Sequence, residues 1–372
     1  MTLKTEKDVA EYVREAHDAA RKLRIVGGGT RQALGNPCDD KSILSTAGLN
    51  RISLYEPSAL TLVAAAGTPL ADIEDALAAE GQRLPFEPMD HRGLLGSTGT
   101  PTIGGVVACN ISGPARIQAG ACRDSLIGVR MVDGSGRVIK NGGRVMKNVT
   151  GYDLVKLMAG SYGTLGVLTE VAFKVLPAPE ASATVAIAGL NDAKAVAAMS
   201  QALTAPYDVN GAAHNHNTAT ATTLIRVEGF EKSVSYRSEQ LKKLLGHWGR
   251  TTITRNDTRW KAIRDVELFH GLKTDVWRLS VTPSDGPKLA EILREIIADI
   301  AILYDWGGGL LWVSAPEGAD VRSRLNGIAG YAECVRGAGA KIIPQNAAIA
   351  KIEQGLRKKF DPIGILNAGI MG

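Results

Sequence analysis

The stretch VMKNVTGYDLVKLMAGSYGTLGVLTEVAFKVLP, residues 145–177, decides how the rest of the chain is read. From Val167 to Val175 apolar side chains alternate with polar or small ones, the period-two pattern of a strand, and Pro177 and Pro179 break it. Upstream, 152–159 reads as a helix stopped by Gly160, and 161–166 is a loop carrying Gly163 and Gly166. Such a loop presents backbone rather than side chains to whatever lies against it.

Similar punctuation recurs toward the N-terminus. An amphipathic helix over 8–22 leads into a short apolar strand, 23–26, which ends abruptly in Gly27-Gly28-Gly29-Thr30-Arg31. A strand is expected at 61–65, a turn at Gly67-Thr68, and a helix over 69–79 with proline in its first turn and Gly81 as its stop. Glycines 93, 96, 99, 104, 105 and 113 then fall in a run without a charged side chain, unusual for a surface loop. Strands 126–132 and 137–140 flank Asp133-Gly134-Ser135-Gly136 and read as a hairpin.

After the prolines the texture changes. Strands near 184–187, 223–227 and 277–281 alternate with helices near 192–203, 232–245, 258–269 and 287–298, and a strand pair flanks Gly307-Gly308-Gly309. This alternation predicts an α+β layer with helices on one face. The tail from 360 is glycine-punctuated like the first half and is expected to return to it. The expected division is therefore 1–178, 179–340, and a returning segment 341–372.

Composition narrows the function. A chain of 372 residues, at roughly 150 per domain, holds more than one domain. The net charge of +5, with no block of five like charges, gives no footprint for nucleic acid. Four cysteines without a Cys-x-x-Cys pair fit a reducing, cytoplasmic setting. The charged N-terminus has no signal-peptide core, and no apolar run approaches the ~18 residues of a membrane span. His214 and His216 form a His-x-His pair, but no strong third ligand stands beside them in sequence, so no metal is expected.

Gly27 to Thr30, following a strand, either wrap a phosphate with backbone N–H groups or make an ordinary tight turn. A dinucleotide fingerprint needs glycine three residues beyond Gly29, where Gln32 stands, and no Gly-Lys-Ser/Thr occurs. The Rossmann and P-loop sites are thereby disfavoured. With the clusters at 99–113 and 160–166, the triplet points instead to a large cofactor approached closely by backbone in several places.

These segments carry a resemblance. VGGGTR at 26–31, PTIGGVVACN at 101–110 and the whole of 145–177 resemble the flavin domain of the vanillyl-alcohol oxidase type. Within that superfamily the chain is similar to the FAD-binding E subunits of glycolate oxidases, through Asp305-Trp306-Gly307-Gly308 to DPIGILNAGIMG at 361–372. The resemblance implies an α+β chain: a vanillyl-alcohol oxidase type FAD-binding domain of two α+β subdomains plus an α+β cap domain. Gly27, Gly28, Gly29, Thr30 and Arg31 match the pyrophosphate loop. Ile103, Gly104, Gly105, Asn110 and Gly113 match the segment along the flavin, and Gly163, Gly166 and Val167 the closing loop. Asn367 is a cofactor-side residue in a motif where Ala368 replaces the family's proline.

FAD is expected to be noncovalent, since 27–31 contains neither His nor Cys; Cys109 is read as packing beside the cofactor rather than as a thioether. Valine at Gly28 or Gly105 is expected to fill cofactor space.

Oxidising a 2-hydroxy acid needs a base for the hydroxyl proton and a cation for the carboxylate. Catalytic relatives place a GHxGDGNxH segment in the cap, whereas 304–313 here reads YDWGGGLLWV, with Asp305, Trp306 and Trp312 and no histidine. No catalytic residue is assigned; Arg116, Arg123 and Lys147 are candidates for a carboxylate clamp or for ordinary ion pairs. The resemblance implies an FAD-binding subunit of a 2-hydroxy-acid-oxidising glycolate oxidase complex. Its work there is electron relay or assembly with a catalytic flavin subunit and an iron–sulfur subunit, through which it would reach the inner face of the membrane. The alternatives are a non-catalytic scaffold with a vestigial flavin site and an independent FAD-dependent hydroxy-acid dehydrogenase.

Overall fold

The computed structural model describes residues 3–38, 42–143, 152–218, 220–343 and 346–372. The chain forms two units: the first holds Met1–Ser112, Gly120–Pro177 and Ile342–Gly372, the second Gly113–Ala119 and Ala178–Lys341. The first part of the deciding stretch, 145–151, with Lys147, lies outside the described residues.

In the first unit, helix Glu6–Asp18 starts from a capping box in which the Thr5 hydroxyl accepts the Asp8 N–H and the Asp8 carboxylate accepts the Thr5 N–H. It buries Val9, Ala10, Val13 and Ala16, one face of a helix. It stops short of the expected Lys22 because Ala20 turns left-handed, φ 48°. Strand Leu23–Val26 pairs in parallel with Ser42–Ser45. The tail runs along its other edge: the Leu23 N–H donates to the Ile365 carbonyl at 2.7 Å, and the Asn367 N–H to the Leu23 carbonyl at 2.9 Å.

The larger part of this unit is a five-stranded sheet in the order Ile52–Glu56, Thr61–Ala65, Val167–Lys174, Leu126–Val132, Val138–Gly142. Every pairing in it is antiparallel. Thr61–Ala65 is buried at every position, and Val167–Lys174 at all but two, so both are central strands. Helix Leu70–Ala79 begins after Pro69, buries Leu70, Ile73 and Leu77, and yields to Gly81 at φ 62°. The hairpin turn is held by Asp133, whose Oδ1 accepts the Ser135 and Arg137 N–H groups, with Gly136 at φ 75°. The helix expected over 152–159 is the shorter Leu154–Met158, begun by Asp153, whose carboxylate accepts the Lys156 N–H.

The second unit is an eight-stranded antiparallel sheet ordered Thr251–Arg255, Ala181–Ala188, Thr222–Gly229, Val209–Asn215, Ala301–Asp305, Leu310–Ala315, Asp275–Val281, Gly330–Arg336. Helices Asp192–Thr204, Glu231–Leu245 and Gly286–Ile296 pack on the face that carries Val185, Ala212, Ile225, Leu279 and Tyr304. Since strand side chains alternate, Ala186, Ala213 and Leu224 face the other way, where Trp260 and Ile263 cover them. The helix expected over 258–269 is therefore not part of the helical layer. It also breaks at Val266, φ 53°, into Arg259–Arg264 and the 3-10 turn Glu267–Phe269.

Candidate cofactor site

Two glycine clusters far apart in sequence meet backbone to backbone. A Cβ on Gly28 would stand 1.6 Å from the Thr100 carbonyl oxygen, and one on Gly99 would stand 1.7 Å from the Gly28 carbonyl oxygen. That approach lets the Thr100 N–H donate to the Gly28 carbonyl at 3.1 Å. Gly27 is squeezed likewise by Thr102, whose hydroxyl would lie 2.4 Å from its Cβ. Gly29, at φ 82°, then turns the chain in a way that L side chains resist.

A slot forms beside this junction. Its walls include Gly27, Gly28, Gly29, Thr30 and Arg31 from the first cluster, Gly104 and Gly105 from the second, Gly163 and Gly166 from the third, and Asn367 from the tail. The slot, open on one side, has a volume of about 100 Å³. That is below the roughly 300–1,000 Å³ that buries a whole small ligand.

Gly105 differs from Gly28. An added Cβ there would meet nothing nearer than Thr102 Oγ1 at 3.5 Å and Arg31 Nη1 at 3.8 Å, ordinary contact distances. A side chain at 105 therefore enters the slot, while one at 28 strikes protein backbone. The glycine requirement at 28 comes from chain packing and not from ligand space, which revises the steric expectation for that position.

Arg31 supplies the charge. Its Nη2 donates to the Met89 carbonyl at 3.0 Å and its Nη1 approaches the Thr30 hydroxyl at 3.5 Å. The Asp90 carboxylate, which acts on the guanidinium through its charge, is paired with Arg92 at 2.8 Å, and the buried Arg31 Nε has no hydrogen-bond partner. Burial pushes the Arg31 pKa below its ordinary value, against weaker opposition from Cys109, Asp90 and Cys122. A desolvated cation with an unused N–H, set among backbone amides, is a fitting environment for a phosphate.

Asn367 locks the closing side. Its Oδ1 accepts the Ile25 N–H at 2.7 Å and its Nδ2 donates to the Tyr162 carbonyl at 2.7 Å. It takes φ 44°, Gly369 takes φ 84°, and the Ile370 N–H closes the turn on the Asn367 carbonyl at 3.2 Å, so the turn forms with Ala368 in place of proline. Asn367→Ala removes two buried hydrogen bonds and leaves a strained backbone. The expected cost is about 2–4 kcal/mol, read as a fall of several degrees in Tm by thermal denaturation.

The other expected site residues lie elsewhere. Ile103 and Val167 are fully buried in apolar clusters, Val167 because strand alternation turns its side chain into the core. Asn110 serves a turn: it takes φ 49° and its Oδ1 accepts the Arg123 N–H at 3.0 Å. Gly113 belongs to the second unit, where its carbonyl accepts the Trp306 indole N–H at 3.1 Å. Conversely Thr102, Ala66 and Tyr162 line the slot without having been singled out. A legible signal existed for Ala66, which lies in the small-residue run 64–67, and its carbonyl would be 2.6 Å from a Cβ on Gly104.

In the second unit the strand–turn–strand at 301–315 is filled by packing. The Asp305 carboxylate accepts the Trp306 N–H at 2.7 Å, and Trp312 is buried. The Arg116 and Arg278 guanidinium carbons lie 4.5 and 5.2 Å from the Trp306 ring centroid. Arg123 is exposed and paired with Asp124 at 3.6 Å.

A sequence model described as an FAD binding domain matches residues 1–142. The glycolate oxidase subunit GlcE of Escherichia coli K12 is 34% identical over 97% of this chain and 95% of its own length. The chain belongs to the GlcE family of FAD-binding oxidoreductase subunits. Its relation to other flavoproteins is narrower. The mitochondrial D-2-hydroxyglutarate dehydrogenase of Bos taurus is 33% identical over 47% of this chain and 31% of its own length. The glycolate oxidase subunit GlcD of Bacillus subtilis is 33% identical over 42% of this chain and 32% of its own. Among solved structures, an alkyldihydroxyacetonephosphate synthase superposes with a TM-score of 0.71 over 98% of this chain and 76% of its own at 17% identity, which establishes a shared fold. The GlcE-family chain thus has the vanillyl-alcohol oxidase type fold, and FAD is its cofactor. Among its described residues no helix is long and apolar enough to cross a membrane.

Proposed function

We propose that the chain holds FAD noncovalently in the glycine-walled slot and acts as the FAD-binding subunit of a glycolate oxidase complex. Its partners there are a catalytic flavin subunit and an iron–sulfur subunit, and its own part is electron relay or assembly. FAD supplies the redox chemistry when bound. Backbone N–H groups of Gly27 to Thr30 and the guanidinium of Arg31 would hold the pyrophosphate. Gly105 would admit the cofactor closely, Gly104 would let the segment pack against Ala66 behind it, and Gly163, Gly166 and Asn367 would close on it. The pyrophosphate loop offers neither His nor Cys for a tether.

The observation that carries the relay reading is the turn at Asp305 and Trp306. Substrate oxidation needs a proton acceptor and a free cation. Here both Arg116 and Arg278 lie against the Trp306 ring, and the Asp305 carboxylate is engaged by the Trp306 backbone. No imidazole occupies 304–313. These contacts favour electron transfer or assembly over turnover of a small 2-hydroxy acid by this chain alone.

The test is purification of the tagged full chain from its source, followed by anaerobic addition of glycolate to the isolated chain. A flavin spectrum, with the flavin released by acid precipitation, and co-elution with a second flavoprotein and an iron–sulfur protein are expected. Glycolate should leave the isolated chain's flavin oxidised and bleach it only in the complex. Catalytic turnover by the isolated chain would establish the independent dehydrogenase instead.

A further inference from the structure

We propose that Asp192, His214 and His216 in the second unit form a mononuclear site for a divalent transition ion, with zinc the best match. The three come from separate places. Asp192 opens helix Asp192–Thr204, His214 lies on strand Val209–Asn215, and His216 follows two residues later, the spacing that returns a side chain to one strand face. Asp192 was out of reach of a search among sequence neighbours of the histidine pair.

Their ligand atoms all lie within 4.8 Å of one another. His214 Nε2 stands 3.5 Å from Asp192 Oδ1, and His216 Nδ1 stands 3.4 Å from that same oxygen. A charge-assisted hydrogen bond would close to about 2.7–2.9 Å. Tetrahedral zinc, with bonds of about 2.0–2.1 Å, sets its ligand atoms about 3.3–3.4 Å apart. The observed spacing suits a shared ion better than a shared proton.

The two buried members are unsatisfied toward one another. His214 is 1% exposed and Asp192 7%, yet His214 Nε2 and Asp192 Oδ1 have no hydrogen-bond partner. Their other atoms are engaged. Asp192 Oδ2 accepts the Tyr304 hydroxyl at 2.7 Å and Arg294 Nη1 at 2.5 Å, and His214 Nδ1 lies 2.9 Å from the Thr223 hydroxyl. A proton on Nδ1, donated to Thr223, leaves a lone pair on Nε2 aimed at a carboxylate lone pair, an arrangement that a cation between them resolves. Outer partners of this type orient metal ligands.

Two imidazoles and one carboxylate are borderline ligands suited to zinc. His216, with 46% of its side chain exposed, opens the site onto a groove of about 920 Å³ lined also by Pro283, Pro287 and Glu295, which leaves a fourth position for water. Arg294 neutralises the carboxylate, so the expected affinity is micromolar rather than that of a structural zinc cage.

The test uses the untagged full chain, stripped with chelator and titrated with zinc by calorimetry, and the absorption spectrum of the cobalt-loaded chain. One zinc per chain with Kd at or below about 10 μM is expected, together with the visible bands of tetrahedral cobalt. His216→Ala changes an exposed side chain and Asp192→Asn keeps the acceptor for Tyr304. Each should weaken zinc binding by about 100-fold and abolish the cobalt bands, with FAD content unchanged. Absence of saturable zinc binding in the unmodified chain, or equal binding in both variants, would overturn the proposal. Because FAD content is read separately, that failure leaves the flavin reading standing.

Discussion

Gly105→Leu gives a folded chain that no longer retains FAD. The site for its Cβ is free of clashes, with Thr102 Oγ1 at 3.5 Å and Arg31 Nη1 at 3.8 Å. Position 105 also lies inside helix Ile103–Ala108, where leucine is favoured over glycine by about 0.8–1 kcal/mol. The cofactor-free protein should therefore melt at the same temperature or slightly higher. Its slot, of only about 100 Å³, has no room for both a leucine side chain and a cofactor section. FAD affinity should fall by about 5–150-fold, read as a loss of flavin after purification, since overpacking of this order costs about 1–3 kcal/mol and the slot cannot widen cheaply. Gly28→Ala is the informative contrast. Its Cβ would sit 1.6 Å from a backbone oxygen, so the loop or residues 99–100 must move. That variant loses stability by about 2–4 kcal/mol before any question of binding arises. Melting curves and flavin content, measured together, separate the two.

Arg31→Met should weaken FAD binding by about 10–100-fold while leaving the cofactor-free chain as stable as before. A charge-assisted hydrogen bond to an anion is worth about 1.5–3 kcal/mol, which sets that range. The second half of the expectation follows from burial. Arg31 is desolvated, its Nε is unpartnered, and the Asp90 carboxylate that offsets its charge only weakly is itself paired with Arg92. Replacing such a group with an apolar side chain of similar length removes a desolvation cost along with two modest hydrogen bonds, to the Met89 carbonyl and the Thr30 hydroxyl. Fluorescence titration of the cofactor-free chain with FAD, alongside thermal denaturation, reads both. A marked fall in Tm with unchanged FAD affinity would make Arg31 a structural residue.

Strands with strong local signals were readable from the chain: Leu23–Val26 and Thr61–Ala65 lie where periodicity placed them. Elements governed by one backbone choice were not. Nothing in the composition of 258–269 announces that Val266 adopts φ 53° and ends the helix. The presence of a glycine-walled site was legible too, because glycine excess in an uncharged run demands a reason. Which glycine faces ligand and which faces protein was hidden, since it depends on the direction of a missing Cβ. Gly28 and Gly105 look alike in sequence and have opposite surroundings. Gly113 groups with the second unit, where its carbonyl accepts the N–H of the Trp306 indole, a partner distant in sequence. The same distance concealed Asp192 from the histidine pair.

The central claim is that the loop from Gly27 to Arg31, the segment around Gly105 and the loop at Gly163 to Gly166 make one FAD site. Amide hydrogen exchange of the full chain, with and without FAD, tests it most directly. The account predicts that FAD slows exchange in all three segments together, and that Gly105→Leu removes the effect in all three. FAD binding that leaves these amides unprotected, or protects one segment alone, would contradict it.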